Sequence, residues 1–212
     1  LEHKLKIKKT ARVFVLEAKG KTKGNVLALH GYGQLVPFFS RRFDEFTQEG
    51  LRVIVPEGLH RFYQEGHSGR VGASWMTKED RLQDISDYQE YLDQVIQEFV
   101  PEGEPIVVFG FSQGVATACR WVSDTSFSVS GLIAWAGTFP PDVNWKLKAK
   151  KMNTLDFRVF FGDNDPFIPL SKAKELILEL EDQGVFPTHT TYPGAHDFLN
   201  QTVLTVTKEM VC

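Results

Sequence analysis

Five residues, Gly110-Phe111-Ser112-Gln113-Gly114, constrain the fold more than any other stretch of the chain. An apolar run, Pro105-Ile106-Val107-Val108-Phe109, leads into them, and a helix-compatible run, Val115 to Val122, leads out. The expected local structure is strand, sharp turn, helix, with Ser112 at the apex. A serine held in so tight a turn needs glycines two positions to either side, because strand and helix approach closely there. Two glycines and a serine also co-occur by chance in ordinary strand-to-helix turns. It is the placement between a buried-type strand and a helix that makes Ser112 a candidate nucleophile.

Other strands and helices alternate around this turn. Leu5 and Ile7, then Val13 and Val15, alternate with polar residues and predict two half-buried strands forming an N-terminal antiparallel hairpin. Val26-Leu27-Ala28-Leu29 reads as a strand covered on both faces and ends in His30-Gly31-Tyr32-Gly33. The residues from Pro37 to Glu49 predict a helix with Phe39, Phe43 and Phe46 on one side, followed by a strand from Leu51 to Pro56. The Glu57 to Ser74 stretch, rich in Gly, His and aromatics, reads as a long irregular loop, a feature often functional in compact domains.

Thr77-Lys78-Glu79-Asp80 has the pattern of a capping box. The helix after it carries Leu82, Ile85, Tyr88, Leu92, Val95, Ile96 and Phe99 at three-to-four spacing, and Pro101 ends it. Beyond Ser112, strands are expected at Gly131–Gly137, Phe157–Gly162 and Thr188–Tyr192, with a loop over 138–154. A helix from Pro169 with Ala173, Leu176, Ile177 and Leu180 inward and a last helix over 198–211 complete the pattern. Such alternation predicts an α/β fold, a mostly parallel sheet with helices on both faces, in a single domain over 1–212. Right-handed crossovers then put every parallel strand's C-terminal end on one edge. Tyr32, Ser112, Asp165 and His196 each fall just after a strand end, so the topology gathers them there.

These residues suit one chemistry. A serine hydroxyl needs a base within hydrogen-bond reach, and the base needs an orienting acid. His196 is the candidate base: it follows a strand late in the chain, and Gly194-Ala195 allow a close approach. His3 and His189 fall within expected strands, and His60 and His67 precede the serine. The acid is Asp163 or Asp165; we take Asp165, because the Asp-Pro-Phe-Ile-Pro run fixes the backbone just beyond it, and leave Asp163 as a turn former. Asp197 is expected to cap the last helix. The backbone N–H groups of Tyr32 and Gln113 are the expected oxyanion donors. His30 has no assigned catalytic role. Phe62, Tyr63, Trp75, Phe139 and Trp145 are candidates for an acyl pocket or for packing of long loops.

Bulk properties narrow the field. The 212 residues carry a formal net charge of −3, so no basic footprint points to nucleic acid. No apolar run reaches membrane-spanning length, and the first residues lack a signal peptide's apolar core. Two cysteines, Cys119 and Cys212, make no disulfide framework and favour a reducing, cytoplasmic setting. No CxxC or HExxH motif occurs, and neither a metal nor a cofactor is expected. A homodimer is left open.

Leu29-His30-Gly31-Tyr32-Gly33, Ser74-Trp75, Gly110 to Gly114, Asp165-Pro166-Phe167-Ile168-Pro169 and Gly194-Ala195-His196 together resemble the α/β-hydrolase superfamily. More narrowly, they resemble its phospholipase/carboxylesterase group, which includes acyl-protein thioesterases. The resemblance implies a compact hydrolase without a large lid, acting on small-molecule carboxylic esters or thioesters. It carries over Ser112, Asp165 and His196 as a triad and the Tyr32 and Gln113 amides as the oxyanion hole. The family often has an acidic residue where this chain has Gln34, and Trp-Phe-Asp where it has Trp75-Met76-Thr77. A non-catalytic binding protein on the same fold is the competing reading, and it requires a broken triad. A dehalogenase-like or epoxide-hydrolase-like chemistry needs a carboxylate at the apex, where Ser112 stands.

Overall fold

The computed structural model describes residues 1–211. Seven strands form the main sheet: β1 (Val13–Leu16), β2 (Gly24–Leu29), β3 (Leu51–Pro56), β6 (Ile106–Phe111), β7 (Gly131–Trp135), β8 (Asp156–Gly162) and β9 (Thr188–Tyr192), in the order β1-β3-β2-β6-β7-β8-β9. All neighbours are parallel except the edge strand β1, which pairs antiparallel with β3. The strand expected at Leu5–Ile7 does not form, and with it goes the N-terminal hairpin. Both side chains are exposed, so their alternation reflects no buried face.

Alternation inside the central strands builds two cores. Leu27, Leu29, Val108, Leu132 and Val159 point to one face, under α3 (Arg81–Phe99), α4 (Gln113–Asp124) and α6 (Leu170–Asp182). Val26, Ala28, Val107, Phe109 and Phe160 point to the other, where Phe39, Phe43, Phe46 and Phe198 interlock edge to face. That face is covered by α1 (Val36–Phe39), a 3₁₀ turn (Ser40–Phe43), α2 (Asp44–Gln48) and α7 (Asn200–Val211). Each fully buried Leu, Ile or Phe contributes about 1.5–3 kcal/mol. Burial on both faces explains the continuous apolar runs of β2, β6 and β7.

Several expectations need correction. The single helix over 37–49 is instead three short turns, bent to wrap its three phenylalanines over the sheet. The stretch read as an irregular loop over 57–74 is an antiparallel ribbon, β4 (His60–Glu65) and β5 (Ser68–Ser74), turned at Gly66 with φ 68°. The ribbon shows little apolar patterning because β4 is largely exposed and held by backbone pairing. The 138–154 loop contains α5 (Trp145–Met152), a lysine-rich helix anchored by only two buried side chains and capped by the Asn144 side chain. The capping box before α3 does not close: Asp80 sits in a left-handed conformation, and its side chain makes no cap hydrogen bond. Leu82, expected on the apolar face of α3, is exposed.

The strand order reverses between β2 and β6. From β2 the chain adds β3 on one side, then returns to lay β6 on the other. In open α/β sheets the crevice at the carboxyl ends of such a strand pair is where ligands bind. Tyr32 and Ser112 stand at that crevice.

Candidate active site

Ser112 has φ 54° and ψ −117°, a conformation costly for any residue with a side chain. Two glycines make it attainable. A Cβ on Gly114 would lie 2.1 Å from the Leu29 carbonyl oxygen, and one on Gly110 2.6 Å from the Gly114 oxygen. The Ser112 N–H donates to the Trp135 carbonyl at 2.9 Å, tying the turn to β7.

The Ser112 Oγ lies 2.9 Å from His196 Nε2, and His196 Nδ1 lies 2.7 Å from Asp165 Oδ2. Asp165 is buried, and its other oxygen, Oδ1, accepts the N–H groups of Phe167 at 2.8 Å and Ile168 at 3.1 Å. The Asp-Pro-Phe-Ile-Pro run therefore locks the carboxylate's direction. Asp163 serves the turn: its Oδ1 accepts from Asn164 Nδ2 and from the Gly194 N–H, which fastens the loop carrying His196. Asp197 does not cap α7. Its Oδ1 accepts from Arg42 and from the Phe198 N–H. Phe167 lays its ring against His196 at 4.7 Å. An imidazole so held, with Nδ1–H donated to the carboxylate, presents a free Nε2 lone pair to the Ser112 hydroxyl.

The loop after β2 is held from three sides. The His30 ring is buried; its Nδ1–H donates to the Gly31 carbonyl at 2.8 Å and its Nε2 accepts the Gly58 N–H at 2.9 Å. Burial lowers its pKa to about 4. The His30 carbonyl accepts from the Trp75 indole N–H, and the Gly31 N–H donates to Gln34 Oε1 at 2.7 Å. The Gln113 side chain spans to the ribbon, accepting the Trp75 N–H through Oε1 and donating through Nε2 to Ser74 Oγ and the Met76 carbonyl. No backbone hydrogen bond among the described residues uses the N–H of Tyr32 or Gln113. Both flank the serine and remain available to a ligand oxygen.

A cavity of about 660 Å³ opens beside Ser112 and His196, walled by Met76, Thr117, Phe139, Pro140, Pro141 and Ile168. Arg120 lies at its edge, buried, in a bidentate pair with Asp142 at 2.7 and 2.8 Å and with Nη1 donating to the Tyr88 hydroxyl. Burial pushes the Tyr88 phenol up to about 12 despite Arg120. Of the five pocket candidates, only Phe139 lines this cavity. Trp75 is fully buried between His30 and Tyr88, Phe62 stacks on Tyr32, Tyr63 is exposed on the ribbon, and Trp145 faces a separate cavity with Phe139. Sequence reasoning missed Gln34, Met76, Thr117 and Arg120. Gln34 and Met76 showed only as departures from the family's usual residues, and Thr117 and Arg120 only as residues three apart, more than one helical turn beyond the serine.

Among the described residues no three His, Cys, Asp or Glu side chains gather as for a metal, and no helix is long and apolar enough to cross a membrane. Cys119 is buried, and burial pushes its thiol up to about 12. Cys212 lies outside the described residues.

The sheet order, the strained serine and the crevice between β2 and β6 define an α/β-hydrolase fold without a large lid. Residues 10–210 match the phospholipase/carboxylesterase family, and the chain belongs to that family, a family of hydrolases. Its fold is similar to that of acyl-protein thioesterase 2 from Zea mays, at 16% identity and a TM-score of 0.79, covering 96% of this chain and 100% of that one. It is also similar to esterase PE8, at 19% identity and a TM-score of 0.73, covering 95% and 100%. A Bacillus cereus carboxylesterase matches at 18% identity and a TM-score of 0.66, covering 94% and 93%. Curated protein sequences contain no match to the chain.

Proposed function

We propose that this protein is a serine esterase, a single catalytic domain that cleaves carboxylic esters or thioesters of small to medium acyl groups. Ser112 Oγ attacks the acyl carbonyl while His196 Nε2 takes its proton. Asp165 holds the ring and stabilises the imidazolium. The oxyanion forms beside the Tyr32 and Gln113 amides, which need no reorganisation to receive it. His196 returns the proton to the leaving oxygen or sulfur, and water then releases the acid through the same steps in reverse order.

One observation carries this reading: the unbroken Ser112–His196–Asp165 relay, with contacts of 2.9 and 2.7 Å, beside an open cavity. The same relay weighs against a non-catalytic scaffold. The apolar walls of the cavity suit an acyl chain. Thioesterase or lysophospholipase activity uses the same machinery and differs only in what the cavity admits. Buried, unpaired Cys119 fits a cytoplasmic site of action.

A fluorophosphonate probe tests the assignment. The folded protein is expected to form one adduct, located on Ser112 by peptide mass spectrometry, and to lose it on substitution Ser112→Ala. Folded protein that forms no adduct, or an adduct elsewhere, supports the scaffold reading. A chain-length series of p-nitrophenyl esters with matching thioesters then ranks the substrates.

A further inference from the structure

The segment from Gly31 to Leu35 is a ridge with a cavity on each side. On one side is the Ser112 cavity. On the other is a second cavity of about 740 Å³, whose walls include Phe38, Arg42, Gln64 and Arg70. Gln34 lines both.

The orientation of the Gln34 amide is fixed by chemistry. The Gly31 N–H can be satisfied only by an oxygen, so Oε1 faces it at 2.7 Å and Nε2 carries the two N–H donors away from it. No acceptor among the described residues takes them, and no buried side-chain nitrogen or oxygen lacks a partner, so this nitrogen opens to the cavities. The oxygen end of the amide lies near the serine: a Cβ on Gly31 would be 3.1 Å from Ser112 Cβ and 3.2 Å from Gln34 Oε1. A carboxylate at this position offers no such donor.

The ribbon brings a cation to the same place. The Gly33 N–H donates to the Ala73 carbonyl, the Ala73 N–H donates to the Gln34 carbonyl, and Gln64 Nε2 donates to the Gly33 carbonyl. A Cβ on Gly72 would be 2.6 Å from the Gly33 oxygen. β5 therefore packs its backbone directly on the ridge, and Arg70 projects from it into the wall of the second cavity. Arg61 on the same ribbon is held by Glu57, whereas Arg70 makes no ion pair among the described residues. Arg42 is already occupied by Asp197, Asn200 and the Phe198 carbonyl. Those contacts put Arg42, on this cavity's wall, beside the loop that carries His196, the group that returns the proton to a departing group.

We propose that the second cavity is the leaving-group subsite and selects an alcohol or thiol bearing a carboxylate, held between the Gln34 amide and the Arg70 guanidinium. One free guanidinium and one amide match a monoanion; a phosphate dianion calls for more cationic donors than this wall supplies. The inference rests on Ser112 being the nucleophile.

The test compares two esters with the same acyl group and chromophore, p-nitrophenyl butyrate and 3-carboxy-4-nitrophenyl butyrate. The readout is the ratio of their kcat/KM values, anionic over neutral. Arg70→Ala is expected to lower the ratio about 5- to 10-fold, the size of one charge-assisted contact at an exposed site. Arg70→Lys restores much of it. Gln34→Glu keeps the acceptor for Gly31 but removes the donor and adds repulsion, lowering the ratio by at least as much. A ratio unmoved by Arg70→Ala or by Gln34→Glu, in protein that still cleaves the neutral ester, overturns the subsite alone. Wild-type protein that cleaves neither ester and takes up no fluorophosphonate overturns the reading of Ser112, and the subsite with it.

Discussion

Lowering the pH should loosen this protein through one residue, His30. Its ring is fully buried, both nitrogens are engaged, and burial holds its pKa near 4, against 6.5 for an ordinary histidine. The neutral tautomer is the one the fold needs, because Nε2 must accept the Gly58 N–H. Below pH 6.5 the unfolded chain takes up a proton at this residue that the folded chain refuses. Stability from His30 is therefore complete above the unfolded pKa, is lost as pH falls from 6.5 toward 4, and changes no further below that. Linkage between pKa values of 6.5 and about 4 gives a loss of about 1.8 kcal/mol between pH 7 and pH 5. Urea unfolding at the two pH values measures it, with His30→Gln as the reference. Subtracting the variant's pH dependence removes the contribution of every other titrating group. The difference should be about 1.8 kcal/mol. Equal pH dependence in wild type and variant would refute the claim that the fold keeps this ring neutral.

Two other substitutions follow from the packing. Gly114→Ala puts a methyl group against the Leu29 carbonyl, backbone against backbone, so β2 or α4 must move. Overpacking of this kind costs about 1–3 kcal/mol, more than the gain in helix propensity, and thermal unfolding should show a lowered Tm together with a lower kcat as the Gln113 amide shifts. Arg120→Ala leaves Asp142 with Arg81 alone and unties the Phe139-Pro140-Pro141 wall from α3 and α4. Because Asp142 stays partly hydrated, the loss should be about 2–3 kcal/mol, at or below the fully buried range, read from the urea midpoint.

What the sequence made legible follows from which forces shape each element. Strands buried on both faces leave continuous apolar runs, so β2, β6, β7 and β8 could be read directly, and with them the edge where Ser112, Asp165 and His196 meet. The position of Asp165, aimed at His196, was also readable, since the run Asp-Pro-Phe-Ile-Pro supplies the amides that hold its carboxylate. The β4–β5 ribbon and α5 were not readable. One is held by backbone hydrogen bonds with little buried apolar surface, and the other by two anchors two turns apart. Leu5 and Ile7 mimic a strand by alternation alone, with nothing to bury against. The aromatic residues of the loops could not be sorted into pocket and packing, because Trp75 and Phe139 differ only in which way the folded backbone turns them.

The central claim is that Ser112 and His196 act as one unit, and a double-mutant cycle tests it most directly. Measured on p-nitrophenyl butyrate, Ser112→Ala and His196→Ala should each lower kcat by about 10⁴-fold or more, and the double variant should be no worse than either. Losses that multiply, or a Ser112→Ala protein that keeps appreciable turnover, would show that the two side chains do not share the chemistry.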